Sequence, residues 1–277
     1  MQFMKILLKR ALSLLKSSHP VPSFAVTLFT VIFGFSYSLP VENLFLVGIC
    51  VLAQQFSVGF SNDWLDYERD KSVSRQDKPT ARGEVSATLV RNASFISGLI
   101  ALILASIFGW VTVVMMFFML VVGWSYNLGL KATGFSVVPY AIGFGILPVF
   151  VTLSVEQSQI PSWWVILASS LLGVSAHFAN TLPDLDKDKQ TGVRALPNIL
   201  GQRGSALVIA GAAISASILI ITQSPSLNLA TAASGLTLSV GLAVTASALA
   251  LRPEPPRVIF HLLIAASFVN VVLLILG

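Results

Sequence analysis

Two short polar stretches interrupt a predominantly apolar chain with one shared pattern, Asn-x-x-x-Asp-x-x-x-Asp: NDWLDYERD over 62–70 and NTLPDLDKD over 180–188. Asn62, Asp66 and Asp70 make the first row; Asn180, Asp184 and Asp188 make the second. On a helix, positions i, i+4 and i+8 fall along one face, drifting by about 40° per step. Each stretch therefore offers an amide and two carboxylates in line, where an apolar run of membrane length reaches water. Mg2+ takes hard oxygen ligands, keeping one or two protein carboxylates and filling its other positions with water and phosphate oxygens. Two carboxylate rows at a membrane surface are the pattern expected of a site that holds Mg2+, two ions by the number of ligands, and through them a diphosphate. The plainer reading is a pair of solvated acidic loops. It leaves unexplained why the rows begin inside apolar spans, and why like charges crowd together with no cation to relieve them. Asp63, Glu68 and Asp186 fall off the coordinating face and are expected to orient the loops or to pair with a base.

An anionic leaving group needs cations whose effect grows as its charge develops. Lys78, flanked by Arg75 and Arg82, follows the first row; Lys131 ends YNLGLK; Lys189 and Arg194 follow the second row. Lys78, Lys131 and Arg194 are the leading candidates, although each base also serves as a topology anchor. Trp64, Tyr67, Trp124, Tyr126 and Tyr140 lie near the same ends of the spans. Interfacial belts favour Trp and Tyr there; the chemical alternative is that some shield a carbocation with their π faces. Tyr126 with Asn127 leads that group, because the pair adjoins Lys131. His177, one turn before Asn180, and His261 read as packed residues, with substrate contact left open for His177. Zinc motifs, phosphate-binding glycine loops, dinucleotide fingerprints and serine nucleophile elbows are absent from the sequence.

The elements that must position these groups follow from composition. Of 277 residues, 55% are hydrophobic and 10% charged, against about 25% charged in soluble domains. The chain reads as an all-α integral membrane bundle. Uncharged intervals such as the 39 residues between Arg91 and Lys131 and the 48 between Arg203 and Arg252 each hold two spans. The full reading is nine transmembrane helices at 21–40, 43–62, 85–108, 110–128, 134–154, 162–182, 204–222, 228–251 and 257–276. The 118-residue offset between the two rows suggests two pseudo-repeated four-helix units plus one helix. All 17 Lys and Arg fall on one side of this arrangement, the other side carrying only Glu42 and Glu156. The positive-inside rule then places the N-terminus and both acidic loops in the cytoplasm, at the cell membrane. The net charge of +5 is spread over five loops, so it marks topology and not nucleic-acid binding. Residues 1–16 are basic and amphipathic and read as an interfacial helix on the cytoplasmic leaflet, with 17–277 forming the membrane domain. Cys50, the single cysteine, excludes an internal disulfide and reads as a small interior residue.

These motifs resemble those of the UbiA superfamily of intramembrane prenyltransferases. NDWLDYERD fits that family's first motif, NDxxDxxxD, at every fixed position, and NTLPDLDKD fits the second at Asp184 and Asp188. Asn180–Thr181 stands where many members carry Asn-Asp or a nearby Asp. KPTARG, from Lys78 to Gly83, looks like the family's Arg-Pro-x-x-x-Gly element with lysine first, and YNLGLK looks like its Tyr-x-x-x-x-Lys element. The resemblance implies a transferase in which Mg2+ on the two rows grips an isoprenyl diphosphate, assisted by Arg75, Lys78 and Arg194, with Tyr126 and Lys131 at the reacting centre. Ionisation gives an allylic cation, its tail in an apolar tunnel open to lipid, and a nucleophile attacks it. An aromatic ring of the quinone-precursor type is the default acceptor. A chlorin, a glycerol phosphate lipid, a carotenoid, a sugar phosphate, or cyclisation to a terpene are the alternatives. A cation-coupled transporter is the reading from another class; it requires acids toward mid-membrane and broken helices.

Overall fold

The computed structural model describes residues 2–155, 159–190 and 192–277, with side chains at all of these except 2, 3, 5, 6, 187 and 190. Glu156, expected on the outward side, lies outside the described residues. Among the described residues the chain is helical and contains no strand. Its helices are α1 Gln2–Ser17, α2 Pro20–Ser36, α3 Val41–Leu65, α4 Tyr67–Ser72, α5 Ala87–Ala105, α6 Trp110–Asn127, α7 Val138–Leu153, α8 Trp163–Thr181, α9 Leu185–Gln190, α10 Leu196–Gln223, α11 Leu229–Ala250 and α12 Val258–Leu276.

Each apolar segment read from the sequence is a helix, bounded by the residues that stop one. Gly109, at φ 110°, separates α5 from α6, and Gly129, at φ 149°, lies just beyond α6. Ser86 caps α5 by accepting from the Leu89 amide at 3.2 Å, and Asn228 caps α11 by accepting from Thr231 at 2.9 Å. Among the described residues, seven helices are long and apolar enough to cross a membrane. An eighth span arises if Leu7–Ser17 and Pro20–Ser36, bent by 64°, are taken as one. The α7 helix has only 16 residues, about 24 Å at 1.5 Å per residue, against a hydrocarbon core of about 30 Å. Length and composition thus support seven or eight spans, where the sequence reading had nine.

The chain divides into two compact units, Met1–Val31 with Leu39–Leu128, and Ile32–Ser38 with Gly129–Gly277. The first holds most of α2 and all of α3, α5 and α6. The second holds α7, α8, α10, α11 and α12. The division falls at the end of α6, where the repeat in the sequence put the end of its first four helices.

In the first unit α3 is the axis, because its small residues let neighbours approach. The Ser57 carbonyl accepts from Ser94 Oγ of α5 at 2.7 Å, and Ser57 Oγ accepts from Trp124 Nε1 of α6 at 3.1 Å. Cys50 is buried and free, its Sγ donating to the Ala101 carbonyl at 3.2 Å. Gly59 faces the Ser18 carbonyl so closely that a Cβ there would collide with it. The α1 helix turns Ser13 and Ser17 inward and leaves Met4, Leu7, Leu8, Leu12 and Leu15 exposed. An outward leucine face is the arrangement for a lipid surroundings, and the reverse of a soluble helix.

In the second unit, Gly173 of α8 sits against the Tyr140 carbonyl and the Phe144 side chain of α7. Ser175 Oγ donates to the Ile209 carbonyl of α10 at 2.9 Å. Buried Ser217, Ser239 and Asn270 bond one another at 2.7 and 2.8 Å, joining α10, α11 and α12. Phe178, Leu182, Ile209, Ile259 and Leu263 pack into one core.

Candidate functional site

Each unit carries one acidic row. In the first, α3 ends at Leu65 and α4 begins at Tyr67, yet helical register continues through Asp66. The Asp66 amide donates to the Asn62 carbonyl at 3.0 Å, and the Asp70 amide to Asp66 at 2.8 Å. Asn62, Asp66 and Asp70 therefore keep the common face expected of them. Asp66 is 7% exposed and Asp70 1%. Arg69 reaches Asp66 Oδ2 at 2.9 Å and lies 3.7 Å from Asp70 Oδ1. Asp70 Oδ2 is buried without a hydrogen-bond partner, and burial holds the Asp70 carboxyl above the usual carboxylate range.

Asp63 takes the role expected of an off-face acid, pairing with a base. Its Oδ1 accepts from Lys78 Nζ at 2.5 Å and lies 3.0 Å from His19 Nε2. Lys78 is itself 8% exposed. Its ammonium also donates to Asn62 Oδ1 at 3.2 Å and meets His19 Nε2 at 3.0 Å. Asn62 Nδ2 in turn donates to Asn127 Oδ1 at 3.1 Å, while Asn127 Nδ2 holds the Val58 carbonyl and Ser61 Oγ at 2.8 and 2.7 Å. Asn127 thus orients the Asn62 carboxamide at the head of the row; its neighbour Tyr126 is half-buried at the end of α6. Arg75 forks onto Asp77 through two contacts of 2.8 Å, and its amide donates to the Asp70 carbonyl at 3.0 Å. His19 was not singled out in the sequence; a lone histidine 44 residues from its partner carries no local signal.

The second row departs from the expected straight helical stripe. Pro183 has no amide to donate and its ring crowds the carbonyl four residues earlier, so α8 stops at Thr181. A 3-10 turn, Leu182–Asp184, leads into α9. That turn advances about 120° per residue, where an α-helix advances about 100°. Asn180 is exposed and donates to Tyr140 Oη at 3.4 Å; Asp184 is partly exposed and has Arg257 Nη2 at 3.8 Å. Asp188 lies in α9 and its carbonyl accepts from Val193 at 3.0 Å. Off-face Asp186 is exposed and meets Lys189 at 3.3 Å.

The backbone segments that carry two of the predicted bases meet here. The Arg194 amide donates to the Ala132 carbonyl at 3.1 Å, directly beside Lys131. Ser136 Oγ fastens the same segment, accepting from the Leu196 amide at 2.9 Å and bonding His177 Nε2 at 3.0 Å. His177 is fully buried, 4.8 Å from the Tyr140 ring centroid, and is a packed residue as expected. Ser136 and Arg257 also escaped the sequence reading, since neither lies in an acidic or basic motif. Among the described residues no three His, Cys, Asp or Glu side chains form a ready metal cage. Mg2+ does not need one, because water and phosphate complete its shell. The hard oxygens of Asp66 and Asp70, with one buried oxygen lacking a partner, suit that ion.

The profile of the UbiA prenyltransferase family matches residues 23–265, and the chain belongs to this family. It is 27% identical over 174 residues to the digeranylgeranylglyceryl phosphate synthase of Pyrococcus horikoshii, covering 61% of each chain. It is 30% identical over 193 residues to the bacteriochlorophyll synthase 33 kDa chain of Cereibacter sphaeroides, covering 65% of this chain and 62% of that one. The chain thus spans about three fifths of the length of these curated relatives. A UbiA homolog from Archaeoglobus fulgidus, solved bound to DMAPP and Mg2+, superposes with a TM-score of 0.69 at 16% identity, over 94% of this chain and 99% of that one. The fold is that of the family, and the protein is an integral membrane protein.

Proposed function

We propose that this protein transfers an isoprenyl group from an allylic diphosphate to an acceptor and requires Mg2+. One observation carries the reading: Asp70, 1% exposed, has a buried oxygen without a hydrogen-bond partner beside the equally hard oxygens of Asp66. A carboxylate so placed is costly until a cation meets it. Family membership and the A. fulgidus homolog bound to DMAPP and Mg2+ support the choice of ion and donor.

Asn62, Asp66 and Asp70 would hold Mg2+ in the first unit, and Asn180, Asp184 and Asp188 in the second. Bound there, Mg2+ supplies Lewis-acid neutralisation of the diphosphate. The chain's own groups do the rest. Lys131 and Arg194 place positive charge where the leaving group gains its negative charge. Arg75, held by Asp77, adds positive charge beside the first row. Tyr126 offers its ring face to the allylic cation, and the apolar helices keep water from quenching it. The acceptor first expected is an electron-rich aromatic ring. The curated relatives are named for a glyceryl phosphate lipid and for bacteriochlorophyll, so a lipid phosphate and a chlorin belong in the same trial. The N-terminus and both acidic loops face the cytoplasm, by the distribution of basic residues.

The test is an assay of the solubilised protein with radiolabelled geranylgeranyl diphosphate and separate aromatic, glyceryl phosphate and chlorin acceptors, with Mg2+ or with EDTA. A Mg2+-dependent lipophilic adduct supports the reading, and its mass identifies the acceptor. A cyclised hydrocarbon would assign a terpene cyclase instead. No diphosphate release from donors of any chain length would reject prenyl transfer and turn attention to ion-coupled transport.

A further inference from the structure

Lys78 was expected to hold a diphosphate, and its surroundings argue otherwise. An ammonium has three hydrogens to donate, and three acceptors of the first unit stand around this one: Asp63 Oδ1 at 2.5 Å, His19 Nε2 at 3.0 Å and Asn62 Oδ1 at 3.2 Å. Both Lys78 and Asp63 are under 10% exposed. With its ring proton on Nδ1, His19 accepts the third Lys78 hydrogen; with the proton on Nε2, it donates to Asp63. Either tautomer keeps His19 bonded to one member of the Lys78–Asp63 pair, and the direct Lys78–Asp63 contact links all three.

We propose that His19, Asp63 and Lys78 form a latch whose task is positioning: it fixes the Asn62 carboxamide and fastens the loop between α4 and α5, and Lys78 does not ligate the diphosphate. The latch joins three separate pieces of chain. His19 stands in the break between α1 and α2 at φ 53°, Asp63 lies in α3, and Lys78 in the loop. With Lys78 on Asn62 Oδ1, the Asn62 amide group is turned toward Asn127 Oδ1 at 3.1 Å, so both ends of the side chain are held. A second tie supports the same assembly: Ser13 Oγ of α1 donates to Glu84 Oε2 at 2.8 Å, and Glu84 follows Lys78 in the same loop. Gly59 makes the approach feasible, since any side chain there would push the Ser18 backbone, and His19 with it, away from α3.

The inference rests on the prenyl-transfer reading for its kinetic readout only; the other readout uses metal-free protein without substrate. The variants are His19→Ala, His19→Gln, Lys78→Gln and the pair Lys78→Gln with Asp63→Asn, each in the full chain. Trypsin is applied in EDTA and cleavage is followed at Arg82–Gly83, an exposed bond inside the loop. Lys78 precedes Pro79 and is no trypsin site, so its loss does not change the digestion map. The latch predicts several-fold faster cleavage in His19→Ala and Lys78→Gln. It predicts recovery in His19→Gln, whose amide reaches the same position, and in the double variant, whose two amides can bond each other without charge. In the assay, His19→Ala lowers kcat on the order of tenfold through misplaced Asn62 with little change in donor KM, and the double variant regains most of the turnover lost in Lys78→Gln. Unchanged cleavage in both single variants would overturn the latch. So would a double variant that resists trypsin like the wild type yet shows a donor KM as high as that of Lys78→Gln, because the Lys78 charge would then be meeting the diphosphate. If the wild type turns over no prenyl diphosphate, the function fails and the cleavage pattern alone decides the latch.

Discussion

At the scale of single residues, the proposed function divides the acidic rows into ligands and supports. Asp66→Asn or Asp184→Asn removes a hard charged oxygen and is expected to cut turnover by about a hundredfold or more with the helical content and elution volume unchanged. Asp186→Asn, at an exposed side chain paired only with Lys189 among the contacts described, is expected to stay within a fewfold of the wild type. Full activity in either of the first two variants would remove the metal assignment. Asp70 offers a sharper test, because function and stability pull in opposite directions there. Its buried, partnerless oxygen is a burden on the metal-free protein, so Asp70→Asn is expected to raise the thermal midpoint in EDTA, by roughly 1 kcal/mol of stability, while lowering turnover. Added Mg2+ should then stabilise the wild type more than the variant. A lower midpoint for Asp70→Asn in EDTA would contradict this account.

At the scale of elements, what positions the rows is a small number of close approaches. Gly59→Val is expected to break the contact between Ser18 and α3, freeing His19 and loosening α1, seen as faster amide exchange over 13–19 with α5 unaffected. Asp63→Asn alone leaves the nearly buried Lys78 charge without its counter-ion and should cost roughly 3–5 kcal/mol, far more than neutralising both. The Ser13–Glu84 tie adds a pH dependence. The hydrogen bond from Ser13, then Arg82 and other nearby bases, holds the Glu84 carboxyl below its usual range against a smaller opposing effect of desolvation. A depressed carboxyl contributes stability that is present above its unfolded value, about 4.3, and is lost as pH falls through the depressed one. Exchange protection of α1 should therefore hold at pH 5 and above and fall off below about pH 4, and Glu84→Gln should flatten that profile. The sequence made some of these elements legible and hid others for physical reasons. The first row was readable because its spacing matches an unbroken helical register. The break in the second was written in Pro183, whose missing amide ends α8. The His19 partnership was not readable, because it depends on a backbone approach at Gly59 between segments far apart in the chain.

At the scale of the whole molecule, apolar runs set the bundle, and the one-sided distribution of bases carries the proposed orientation. Each apolar segment became a helix, since buried backbone in lipid has to bond within its own segment. The number of spans was less legible, because α7 is helical and apolar but short, and the bend between α1 and α2 cannot be seen in hydropathy. The proposed orientation predicts that a membrane-impermeant maleimide applied from the cytoplasmic face labels Arg82→Cys and spares Ser162→Cys, with Cys50 silent in the interior; the reverse pattern would invert the topology. The central claim is that the carboxylate rows act on a prenyl diphosphate through Mg2+. The most direct measurement is diphosphate release from labelled geranylgeranyl diphosphate by the solubilised wild type and by Asp66→Asn, each with Mg2+ and with EDTA. Release by the wild type with Mg2+, and in none of the other three conditions, is the predicted result. Equal release with EDTA, or undiminished release by Asp66→Asn, would contradict it.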